Sequence, residues 1–65
     1  MNALSEADWK LRFAYGLCQR FVGRGLPPDA ALEDANAHAD DYYPKRGEFS
    51  PEVEAELVFL RLPRM

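Results

Sequence analysis

One cysteine and one histidine in 65 residues close off most thiol and metal chemistry. A disulfide within the chain needs two cysteines, and structural zinc sites of cysteine, or of cysteine with histidine, draw four ligands from those types. Long apolar runs are missing too, since none nears the roughly 18–20 residues that span a bilayer. The opening residues, MNALSEADW, carry acids where a secretory signal carries bases, and no apolar segment of signal type follows. Gly23-Arg24-Gly25 has the spacing of neither phosphate-binding fingerprint. These absences lead to the expectation of a cytoplasmic protein with a reduced thiol, no metal or cofactor, and no contact with membrane.

What is present suffices for a fold. At 48% hydrophobic, with one Trp, three Tyr and four Phe, the chain is too apolar for intrinsic disorder. A domain this short buries only about 60% of the surface its unfolded chain exposes. With no disulfide or metal to staple it, stability must come from local propensity, an efficient core or a second copy of the chain.

Three segments read as helices, and the fold class expected is all-α, a single domain over 1–65 with short flexible ends. The first helix spans about 6–23. Ser5 is its N-cap, Glu6 and Asp8 place negative charge in the first turn, and Gly23 and Gly25 supply a left-handed stop. At about 100° per residue, Trp9, Phe13, Leu17 and Phe21 form one stripe, and Leu11, Ala14, Cys18 and Val22 a second beside it. So wide an apolar arc marks a central helix, with Trp9 and Phe13 as core anchors.

The second helix is expected over 29–42, after Pro27-Pro28, with Asp29 as N-cap or Pro28 in the first turn. Alanine alternates with polar residues here, yet alanine favours helix over strand. Ala31, Leu32, Ala35, Ala39 and Tyr42 share a narrow face that lets another helix come close. The third helix is expected over 51–61. Ser50 caps it, Pro51 occupies its first position, Phe49 is placed to staple back near Glu54, and Pro63 lies beyond its end. Its apolar residues fall on two sides, Val53, Leu57 and Leu60 on one, Ala55, Val58, Phe59 and Leu62 on the other.

Charge is segregated along the chain. Lys10, Arg12, Arg20 and Arg24 occur without an acid between them, whereas Asp29, Glu33, Asp34, Asp40 and Asp41 occur without a base. The first two helices are therefore expected to pack side by side, with the charges selecting the pairing.

Chemistry is confined to a few residues. Asp34, His38 and Asp41 project from one flank of the second helix, a spacing compatible with metal ligation. Three polar residues on one flank are commonplace in a polar helix, however, and no fourth ligand is in sequence reach. His38 reads as a surface residue at the edge of the alanine face. Cys18 sits mid-helix on the apolar arc, with no helix N-terminus to stabilise a thiolate, and reads as an inert buried thiol. No catalytic set is expected. The net charge of −3 and the acidic second helix oppose phosphate binding; the routes left to nucleic acid are the basic first helix with the Lys45-Arg46 loop, and the third helix with Arg61 and Arg64.

The apolar surplus of the third helix carries the functional expectation. A three-helix monomer needs only one apolar stripe on each outer helix. A small non-enzymatic helical interaction module is therefore expected, with a protein partner or a homodimer. Its surface is expected at Val58, Phe59, Arg61, Leu62 and Arg64. The alternative is a nucleic-acid-associated protein acting through the first helix.

Overall fold

Ser5 opens the first helix by accepting the Asp8 backbone N–H on its hydroxyl at 3.1 Å, and Ser50 does the same for Val53 at 3.3 Å. The computed structural model describes residues 4–62. Arg64, and the ends expected to be flexible, lie outside the described residues. The architecture is all-α. It runs α1 (Glu6–Gly23), α2 (Pro28–Tyr42), a 3-10 turn (Tyr43–Lys45) and α3 (Pro51–Arg61), with no strand among the described residues.

Helix ends follow local chemistry. α1 closes in a Schellman motif: Gly25 N–H bonds the Val22 carbonyl at 3.0 Å, and Leu26 N–H bonds that of Phe21 at 3.1 Å. The left-handed backbone this requires is supplied by Gly25 alone, at φ 110°, while Gly23 is the last helical residue. α2 starts one residue earlier than 29, because Pro28 takes the first helical position. Pro27 is its cap, without a side-chain bond, and Asp29 falls in the first turn rather than capping it. Phe49, the expected staple, is 60% exposed and lies outside the hydrophobic core. Glu54 fastens that corner instead, its carboxylate accepting the Gly47 N–H at 3.0 Å.

α1 is the axis of the molecule. α2 runs back along it, so Trp9 meets Tyr43, Phe13 meets Tyr42, and Phe21 meets His38. α3 runs in the same sense as α1, with Glu52 beside Arg12, Ala55 against Gly16, and Phe59 on Phe21. α2 and α3 pack on α1 and not on each other. The core is correspondingly thin: Trp9, Phe13, Ala14, Leu17 and Phe21 from α1, Ala31, Ala35 and Ala39 from α2, and Pro51, Ala55 and Val58 from α3 are its buried apolar side chains among the helices. Trp9 and Phe13 stack at 4.9 Å between ring centres, the geometry in which aromatic pairs gain beyond area burial.

The alanine face of α2 lies against α1, as its composition predicts, but Leu32 at its edge is exposed. The expected pairing of basic α1 with acidic α2 is realised at Lys10–Asp40, 3.1 Å apart. The other two cross-helix ion pairs go to α3, Arg12–Glu52 at 2.7 Å and Arg20–Glu56 at 3.3 Å. The reason is directional. α2 turns alanines to α1, so most of its acids point elsewhere, whereas Glu52 and Glu56 flank the α3 face that meets α1.

Candidate interaction surface

The two apolar sides of α3 have different fates. Ala55, Val58, Phe59 and Leu62 form the side turned toward α1. Val58 is buried, and Phe59 and Leu62 are half-buried against the core. The Phe59 ring centre is 6.0 Å from that of Phe21, and the Arg24 guanidinium lies 4.2 Å above it. That guanidinium, with Arg20, Gly23 and Phe59, lines an open depression at the end of α1. Of the surface expected from sequence, Val58 is thus core, Phe59 and Leu62 are partly committed to α1, Arg61 is exposed, and Arg64 lies outside the described residues.

The free apolar side of α3 is the other one. Val53 is 41% exposed and Leu60 71%, with Leu57 half-buried between them at helical spacing. A similar stripe runs along α1, where Leu11 is 69% and Tyr15 65% exposed, continuing through half-buried Cys18 to exposed Val22. In both cases period 3.6 picks out the apolar direction from sequence. Which direction meets a neighbour follows from where the other helices lie, and that the pattern does not contain.

The basic residues of α1 are engaged within the fold. Arg12 holds Glu52 through two bonds, Nε donating to Oε2 at 2.7 Å and Nη2 to Oε1 at 2.9 Å. This pair sets the titration of both groups: Arg12 is raised above its ordinary value chiefly by Glu52, and Glu52 is lowered chiefly by Arg12. Lys10 bridges Glu6 at 2.7 Å and Asp40 at 3.1 Å, and is likewise raised, by Glu6 first and Asp40 second. In the loop after α2, Arg46 lies 3.9 Å from the Tyr43 ring centre and donates to the Tyr43 carbonyl, while Lys45 reaches Asp41 at 3.8 Å.

His38 is held by packing. Nδ1 donates to the Asp34 backbone carbonyl at 2.8 Å. The ring stacks on Tyr42 at 6.2 Å and meets Phe21 edge-on at 6.0 Å. Asp34 thus meets His38 through its backbone, and no three His, Cys, Asp or Glu side chains converge on one point among the described residues. Cys18 is half-buried. Among the described residues, no helix is long and apolar enough to cross a membrane. No protein-family model, curated protein or solved structure matches this chain.

Proposed function

We propose that this chain is a small non-enzymatic helical interaction module that associates with a second copy of itself. One observation carries the reading: after the core has formed, α1 and α3 each keep an exposed apolar stripe at helical spacing, Leu11–Tyr15–Val22 and Val53–Leu60. Single exposed apolar residues such as Leu32 or Phe49 need no explanation, whereas aligned ones mark contact surfaces. A thin core built on one axial helix adds a motive, because domains of this size commonly gain stability by association. Two features weigh against the nucleic-acid alternative. Lys10, Arg12 and Arg20 are already paired with carboxylates, and the net charge is −3, so phosphate would have to displace internal partners and approach an acidic protein.

The test is the mass in solution across a concentration series, by sedimentation equilibrium from micromolar to several hundred micromolar protein. The weight-average mass should climb from one chain toward two. A mass that stays at one chain throughout would remove the reading.

A further inference from the structure

α3 spans 11 residues, about 16 Å of helix. Its outer face carries Val53, Leu57 and Leu60 at i, i+4 and i+7. Along one flank of this stripe stand Glu54 and Arg61, seven residues apart and hence in nearly the same direction around the axis. Along the other flank stands Glu56, already held by Arg20 at 3.3 Å. The Glu54 carboxylate accepts the Gly47 N–H through Oε2, which leaves Oε1 for a second donor. Arg61 is exposed and in no ion pair among the described residues.

This pattern distinguishes the ways two copies of the helix can meet. A twofold axis perpendicular to two antiparallel helices keeps each flank on its own side and reverses its order. Leu57 of one copy then meets Leu57 of the other, Val53 meets the Leu60 end, and Glu54 stands beside Arg61 of the second copy, twice over. A parallel twofold pairing exchanges the flanks, so the Glu54 flank of one copy faces the Glu56 flank of the other, acid beside acid, and Glu54 and Arg61 do not meet. Charges flanking an apolar seam choose partner and orientation in this way, and antiparallel helix dipoles favour the same choice. A twofold contact needs only one self-complementary patch.

We infer that the outer face of α3 binds a second copy of this chain in antiparallel orientation, centred on Leu57, with two reciprocal Glu54–Arg61 ion pairs. The inference rests on the self-association proposed above and specifies the face that performs it. Three aliphatic side chains per copy bury well under the roughly 1,200 Å² of a standard stable interface. The dimer is therefore weak, and in a weak dimer two charge pairs decide the orientation.

The experiment is a charge-reversal cycle read by sedimentation equilibrium. Glu54→Arg alone sets Arg against Arg, Arg61→Glu alone sets Glu against Glu, and each should weaken dimerisation by at least about tenfold. An equimolar mixture of the two variants restores both opposite-charge contacts and should dimerise near the wild-type level. Leu60→Asp, at an exposed position, should abolish the dimer without altering helicity. Glu54→Arg also loses the Gly47 bond, so its circular dichroism is recorded alongside; if it misfolds, Arg61→Glu and Leu60→Asp decide. A dimer indifferent to Arg61→Glu and Leu60→Asp overturns the assignment to α3 and leaves self-association through another face, for which loss on Leu11→Glu is the signature. A wild-type chain that stays monomeric overturns both.

Discussion

The Arg12 guanidinium grips the Glu52 carboxylate in a two-bond fork, 2.7 and 2.9 Å, and so ties the middle of α1 to the first turn of α3. Planar, bidentate pairs of this kind are the strong form of charge-assisted hydrogen bond. The fork also holds Glu52 below its ordinary value of 4.5. A carboxylate whose pKa is depressed by folding adds stability that is present above the unfolded value and is lost as pH falls through the folded one. The melting temperature should therefore decline on acidification below about pH 4.5, the ordinary glutamate range. Glu52→Gln should lower the melting temperature at pH 7 and make its decline in acid shallower. Thermal melts of both proteins between pH 3 and pH 7 check this, and parallel curves would show that the fork contributes nothing to the acid response.

Trp9 is the anchor at the other end of the axis. It is buried, stacked on Phe13 at 4.9 Å and edge-on to Tyr43 at 5.4 Å. Trp9→Ala should cost about 3–5 kcal/mol, comparable with everything a core of this size supplies. Urea titration followed by far-ultraviolet circular dichroism should find the variant largely unfolded at 25 °C. A midpoint equal to that of the parent would contradict the central place of α1.

Two glycines on α1 and its cap should respond oppositely to the same substitution. A Cβ at Gly16 would lie 3.5 Å from the Ala55 Cβ, ordinary contact distance, within a helix interior. Gly16→Ala is therefore expected to stabilise by about 0.5–1 kcal/mol, the usual helix gain of alanine over glycine. Gly25 has φ 110°, where an L side chain is strained, so Gly25→Ala should destabilise despite open space around it. Melting temperatures should move in opposite directions, and a loss at Gly16 would mean that α1 and α3 cannot yield to an added methyl.

How far these features were legible from sequence depends on whether their cause is local. Ser5 and Ser50 fixed two helix starts because capping is decided within four residues, and Trp9, Phe13, Leu17 and Phe21 announced the core because their spacing leaves no other shared face. Of the two starts legible for α2, Asp29 as cap or Pro28 in the first turn, the second forms, because Pro28 is itself well suited to a first helical turn. That α1 and α2 pack side by side was legible from their opposite charges, but that Arg12 and Arg20 pair with Glu52 and Glu56 of α3 was not, because pairing depends on direction across the contact. Likewise Val58, Phe59 and Leu62 were separable from Val53, Leu57 and Leu60 by period, but which set turns to α1 depends on how α3 is rotated, a property of the assembled fold.

Neighbouring residues on α3 put that rotation to a direct test. The Phe59 ring packs on Phe21 and beneath the Arg24 guanidinium, whereas Leu60 is 71% exposed. Phe59→Ala removes a half-buried ring and should cost about 2 kcal/mol, less than the 3–5 of a fully buried phenylalanine. It should also free Arg24, so the loss should be smaller in a background where Arg24 is already alanine; cation–π coupling of this type is worth about 0.5–1 kcal/mol at exposed sites. Leu60→Ala should leave chain stability within about 0.5 kcal/mol of the parent when measured on dilute, monomeric protein. Chemical denaturation of the four variants, at a concentration where every chain is monomeric, completes the cycle. If Leu60→Ala destabilises the monomer more than Phe59→Ala, α3 is rotated by half a turn from the orientation described, and its inner and outer faces exchange roles.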